Sequence, residues 1–397
     1  MRVMRRAFRI IVFIIVFCLG VAAGSFFNSP YYKNYKTHNK AAPPASTIAL
    51  NRGDLNIYAH AKAGMFSPAI QGALYRVYVP NSEDNTVSVI DAATYQVIDT
   101  FVTGKNPQHI VPSYDLKTLW VLNDKSNSVT PIDPRTGKPG AQFAVNDPYN
   151  LYFTPDGRFA IVVNEGVKRL DFRDPHTMEL VDSVPVECGG VNHMDFTADG
   201  RYAIATCEFS GQLLKLDVNT HKVLGYLDLG AGSMPQDVRA SPDGRIFYVA
   251  DMMRDGIFLI DPMQFKILRF IPTGIGAHGI YPSRDGGRYL YISNRGCHMH
   301  SVKCPSHGPG SITLFDTQTQ KILANWPIPG GGSPDMGNVS ANGKELWLGG
   351  RYDSEVYVFN TVSGELAHRI PVGRGPHGLT VWPQPGRYSL GHTGNMR

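Results

Sequence analysis

Histidine recurs at one place in a repeated segment of this chain. Aligned, the segments read Pro107-Gln108-His109, Pro148-Tyr149-Asn150, Val191-Asn192-His193, Pro235-Gln236-Asp237, Ala277-His278-Gly279, Pro334-Asp335-Met336 and Pro376-His377-Gly378. Imidazoles and carboxylates converging on one axis suit a transition metal, a haem iron or an anionic ligand. His109, His193, His278, His377 and Asp237 are therefore the candidate binding residues, with Asp335 and Asn150 beside them. The plainer reading of any one of them is a side chain that hydrogen-bonds a neighbouring backbone and nothing more.

A second group lies in the insertion running from Gly296 to His307. His298, His300 and His307, together with Met299, suit a soft metal such as copper. The same stretch also fits a hairpin stapled by a Cys297–Cys304 disulfide in an oxidising compartment. Cys188 precedes one strand and Cys207 ends the next, so antiparallel pairing predicts a second bridge. Other chemistry lacks its signature. No Cys-x-x-Cys-His, Gly-x-Ser-x-Gly, His-Glu-x-x-His or phosphate-binding glycine loop is present. No catalytic residue is assigned, and whether the protein is an enzyme stays open.

The elements that position these residues are short strands. One strand of each unit ends at Asn81, Asn123, Asn164, Cys207, Asp251, Asn294 or Gly350, and another at Asp91, Asp133, Asp174, Asp217, Asp261, Asp316 or Asn360. Six of the seven pairs of marks stand ten residues apart, and the Asn294/Asp316 pair is lengthened to 22 by the insertion. Asp156-Gly157, Asp199-Gly200, Asp243-Gly244, Asp285-Gly286 and Asn342-Gly343 supply tight turns before the first mark. Helical periodicity is missing beyond the leader. Four short strands per unit predict an all-β fold, a single β-propeller whose first strands ring a central funnel. Eight blades are expected, with Thr47–Asn51 and Gly386–His392 completing a shared blade two strands from each end. Seven is the alternative.

The units Arg76-Val-Tyr-Val-Pro-Asn81 with Val89-Ile90-Asp91, and Phe247-Tyr-Val-Ala-Asp251 with Ile260-Asp261, resemble the YVTN family of bacterial β-propellers. A narrower resemblance is to the d-type haem propeller of the cytochrome nitrite reductases and its haem-biosynthesis relatives. It rests on Leu74–Tyr95, Thr103-Gly104 with His109-Ile110, and Ala277-His278-Gly279 followed by Gly310–Leu314. That likeness implies that His109 ligates a tetrapyrrole iron, with His278 across the pocket. The other active-site histidine of that family is replaced here by Gln236-Asp237.

The net charge of +5 points at first to nucleic acid or a membrane surface, but its position says otherwise. Residues 1–50 hold seven of the 38 basic residues and no acid, leaving 31 basic against 33 acidic in the rest. Nucleic acid is thus not an expected partner. Arg2, Arg5, Arg6 and Arg9 precede an uncharged run from Ile10 to Tyr32. Such a leader directs everything after it out of the cytoplasm. Residues 1–30 are read as a signal peptide cut near Val21-Ala22-Ala23 or as an uncut helical anchor through residues 10–27. Residues 31–46 form a linker and 47–397 the propeller. The sequence predicts an extracytoplasmic or periplasmic protein, secreted or tethered to the inner membrane. Its His-lined funnel would bind a small ligand, a protein partner, a metal or a tetrapyrrole. A haem- or metal-dependent oxidoreductase, or a haem-cofactor assembly factor, is the alternative.

Overall fold

The computed structural model describes residues 56–298, 304–392 and 395–396. The expected leader, the linker and the strand at 47–51 all lie outside them. Among the described residues no helix is long and apolar enough to cross a membrane.

The marks that punctuate the repeat have a physical cause. Asp91, Asp174, Asp217, Asp261, Asp316 and Asn360 each accept, through one side-chain oxygen, the N–H groups two and three residues on. These Asx turns end one strand and launch the next. Asn81, Asn123 and Asn294 instead reach across their hairpin, donating to Ser88, Thr130 and Thr313 of the following strand. In the Thr-Pro-Asp-Gly turn, the Thr154 hydroxyl donates to Asp156 and Gly157 takes a φ of 73°. The φ is glycine's territory.

Seven sheets form, each with four strands of the repeat. The innermost strands are Pro107–Pro112 of blade 2, Asn150–Phe153 of blade 3, Val191–Phe196 of blade 4, Pro235–Ala240 of blade 5, Ala277–Pro282 of blade 6, Pro334–Val339 of blade 7 and Thr380–Trp382 of blade 1. The hydrophobic core lies between blades. Phe159 and Phe172 of blade 3 pack with Phe196 and Leu216 of blade 4. Val77 and Ile90 of blade 1 pack with Trp347 and Val356 of blade 7.

The ring closes differently from the expectation of eight blades. Thr380–Trp382 pairs antiparallel with Arg76–Tyr78, so one C-terminal strand completes a blade begun by three N-terminal ones. This removes the sheet edge that an open ring would expose. Ser389–Gly391, expected to continue an eighth blade, instead lies on the channel side of blade 3, where Gly391 pairs with Tyr152. The tail is held there because its Leu390 is buried in the core between blades 3 and 4. Seven blades result.

Candidate functional site

Call the end of the channel where the inner strands begin the upper mouth, and the other end the lower. In blades 2, 4, 5, 6 and 7 the inner strand carries one extra residue against its neighbour, at its second and third positions. A bulge of this kind interrupts the alternation of side chains and re-aims them. Successive polar residues are consequently both buried at the axis: Gln108 with His109, Asn192 with His193, and Gln236 with Asp237.

The third-position residues form a tier. His109, His193, Asp237 and Asn150 are each fully buried, and the returning tail adds His392, also fully buried. Ring centres lie 4.6 Å apart for His193–His392, 5.2 Å for His109–His193 and 5.4 Å for His109–His392. The Asn150 amide nitrogen stands 3.1 Å from Nδ1 of His193 and 3.2 Å from Nδ1 of His392. Both rings are thereby fixed by one side chain. On the other edge, His392 Nε2 is 3.6 Å from Asp237 Oδ1, while His193 Nε2 makes no hydrogen bond. One ligand atom from each of His193, His392 and Asp237 can be chosen so that all three fall within 4.8 Å of one another.

The second-position residues form a tier nearer the upper mouth around Asp335. Its carboxylate receives His377 Nδ1 at 2.5 Å and Arg295 Nε at 2.7 Å, while His278 Nδ1 lies 3.0 Å away without a hydrogen bond. From the first tier, the His109 ring lies 4.8 Å from that of His377. Neither of its nitrogens has a hydrogen-bond partner among the described residues. Gly378 makes room for it, since a Cβ there would sit 2.0 Å from His109 Nδ1.

Electrostatics keep the rings neutral. Burial pushes the pKa of His109, His193, His278 and His392 well below the ordinary imidazole value, and that of His377 down to about 4. Neutral imidazole is the form that ligates metal. Burial acts oppositely on Asp237, raising it to about 6 against the pull of Arg239. Burial opposes ionisation of Asp335 too, but the Arg295 guanidinium, with the hydrogen bond from His377, prevails and holds it well below the usual carboxylate range. At the upper mouth, Glu165 is pushed up to about 9 by burial and by the nearby Glu208.

The insertion is arranged otherwise. Cys297 and Cys304 are joined in a disulfide, as are Cys188 and Cys207. Those sulfurs are therefore not thiolate ligands, and the pairs are bonds of an oxidising, extracytoplasmic compartment. His298 contacts Asp255 at 2.7 Å, and His307 lies 3.6 Å from Asp353, so each has its own carboxylate. His300 lies outside the described residues. The sequence pattern missed His392, which belongs to no inner strand. Its one advance signal was a buried-type residue, Leu390, in a tail left over once the ring has closed.

A seven-bladed propeller with a histidine-lined channel is thus the class of protein. The family model described as "YNCE-like beta-propeller" matches residues 58–385, and the chain belongs to that family. It is 23% identical over 320 residues to the uncharacterized protein YwhL of Bacillus subtilis strain 168, covering 77% of this chain. It spans 64% of the length of that curated relative. Among solved structures it is similar to the periplasmic gluconolactonase PpgL of Pseudomonas aeruginosa, with a TM-score of 0.62 and 18% identity over 77% of this chain and 98% of the other. It is also similar to dihydro-heme d1 dehydrogenase NirN, solved in complex with DHE, with a TM-score of 0.57 and 18% identity over 80% and 77% of the two chains. Likeness at this level of identity is likeness of fold.

Proposed function

We propose that this is an exported binding protein whose channel holds a transition-metal ion on His193, His392 and Asp237, with His109 as a further ligand. The observation that carries the reading is His109: a fully buried imidazole without a hydrogen-bond partner among the described residues, beside a His-His-Asp group within reach of one ion. An unsatisfied buried polar group is costly unless something completes it. Imidazole with carboxylate suits zinc, copper, nickel or iron.

Ring centres 4.6–5.4 Å apart favour a bare ion over a macrocycle in this tier. The second reading, a haem-dependent oxidoreductase or a haem-assembly factor, draws on the fold it shares with NirN and on the His278–Asp335–His377 tier beside Arg295. The leader, through residues 10–27, would export the domain and, uncut, tether it to the inner membrane.

Metal analysis and an absorption spectrum of protein purified from its native host test both readings. About one ion per chain, lost in H193A and D237N, is expected. A metal-free, colourless protein that takes up no zinc, copper, nickel or iron would sink the proposal, and an intense visible band lost in H278A would replace it with the haem reading.

A further inference from the structure

At the lower mouth lies a cavity of about 330 Å³, with Asp195, Arg239, Arg284 and Asn338 among its lining. The segment from Asn56 to Lys62 forms one wall and Met396 of the tail reaches another. Most of the charge here is internally matched. Asp195 accepts from the N–H groups of Phe196 and Ala240, each at 2.8 Å, and from the Tyr58 hydroxyl. Arg239 lies 3.6 Å from Asp237 and donates to the Ile280 carbonyl at 3.0 Å.

Arg284 is the exception. Its Nη2 donates to two neutral oxygens, the Val339 carbonyl at 3.1 Å and the Gln384 side chain. Its Nε is buried without an acceptor, and none of the ion pairs among the described residues includes it. Burial pushes its pKa down to about 10, which leaves it charged at neutral pH. The turn does not require this residue. At the equivalent place the other turns of the repeat carry Tyr114, Pro155, Ala198, Pro242 and Ala341. The same turn is also opened by an added glycine, and Lys62 lies over it: a Cβ on Gly286 would stand 3.0 Å from Lys62 Cε. A guanidinium at the bottom and an ammonium at the rim thus share a cavity whose remaining lining includes Pro242, Pro282 and Val339. A half-buried cation with no ion-pair partner among the described residues favours a counter-charge, and a guanidinium matches planar or tetrahedral oxyanions through paired hydrogen bonds.

The geometry points to a binding site for a small organic anion at the lower mouth, its carboxylate or phosphate held by Arg284 and Lys62 and its apolar body resting on Pro242, Pro282 and Val339. The site is separate from the histidine tier at the other end of the inner strands. Ligands of this size fit a pocket of this volume.

Isothermal titration of the full chain with benzoate, phenyl phosphate and neutral benzyl alcohol tests the site. One or both anions should bind saturably and the alcohol should not; which anion binds assigns the head group. Charged hydrogen bonds of this kind are worth enough that R284M should weaken binding about ten- to a hundredfold. The exposed Lys62 can be replaced without disturbing the fold, and K62A should weaken binding about three- to tenfold at an unchanged Tm. Equal binding of the alcohol, no saturable binding of either anion, or native affinity in K62A would overturn the assignment.

Discussion

Asp237 lets the metal reading be tested by counting protons. A metal displaces the proton from its carboxylate ligand, while neutral imidazoles bind without releasing one. Asp237 is raised to about 6 by burial, so about three quarters of it is protonated at pH 5.5 and about a tenth at pH 7. Burial pushes His193 and His392 well below their ordinary value, so Asp237 is the group expected to dominate the proton release. Binding should therefore release about 0.75 proton at pH 5.5 and about 0.1 at pH 7, and affinity should fall only about tenfold between pH 7 and pH 5. The direction follows from the raised pKa: lower pH protonates the ligand and weakens the site. Two imidazoles titrating at the usual 6.5 would instead release about 1.8 protons at pH 5.5 and lose several hundredfold in affinity. Zinc titrations in paired buffers of different ionisation enthalpy, at the two pH values, measure the release directly. D237N should abolish the release and bind at least about a hundredfold more weakly. Release near two protons at pH 5.5, or a D237N variant with native affinity, would refute the account of the site.

Ending the chain at Tyr388 removes Leu390, His392 and Met396, all buried; denaturant unfolding should show a loss of about 3–5 kcal/mol for the two apolar side chains, with metal binding lost as well. Replacing Gly378 with alanine sets a Cβ 2.0 Å from His109 Nδ1; a loss of about 1–3 kcal/mol by the same measurement and a displaced His109 signal in histidine NMR spectra are expected. The Cys188–Cys207 bridge spans 19 residues and Cys297–Cys304 spans 7, so removing the first pair should cost about 3 kcal/mol and the second about 2.5, as thermal unfolding of the double-alanine variants would show.

The fold was legible because the repeat writes its chemistry locally. An Asp that accepts two backbone N–H groups, an Asn that bridges a hairpin and a Gly at positive φ each act within a few residues, so they recur as marks ten residues apart. Blade number was decided elsewhere. Gly386–His392 resembles the strand Gly200–Thr206 in sequence, yet pairs with blade 3 from inside the channel, because the ring had already closed through Thr380–Trp382.

By itself, the sequence determined an all-β ring, the placing of the basic excess in residues 1–50 and the repeated segment that carries His109, His193, His278 and His377, and it offered the two disulfides beside metal ligation at the insertion. Only the tertiary structure stacked the second and third places of that segment as separate tiers, set Asp335 among the rings of one and Asp237 beside those of the other, and added His392 from the tail. The physical reason is distance along the chain. His392 meets Asn150 across 242 residues and Arg284 meets Gln384 across 100. No local pattern encodes such a meeting; it follows from where the closed ring leaves room and which charges its packing leaves unmatched.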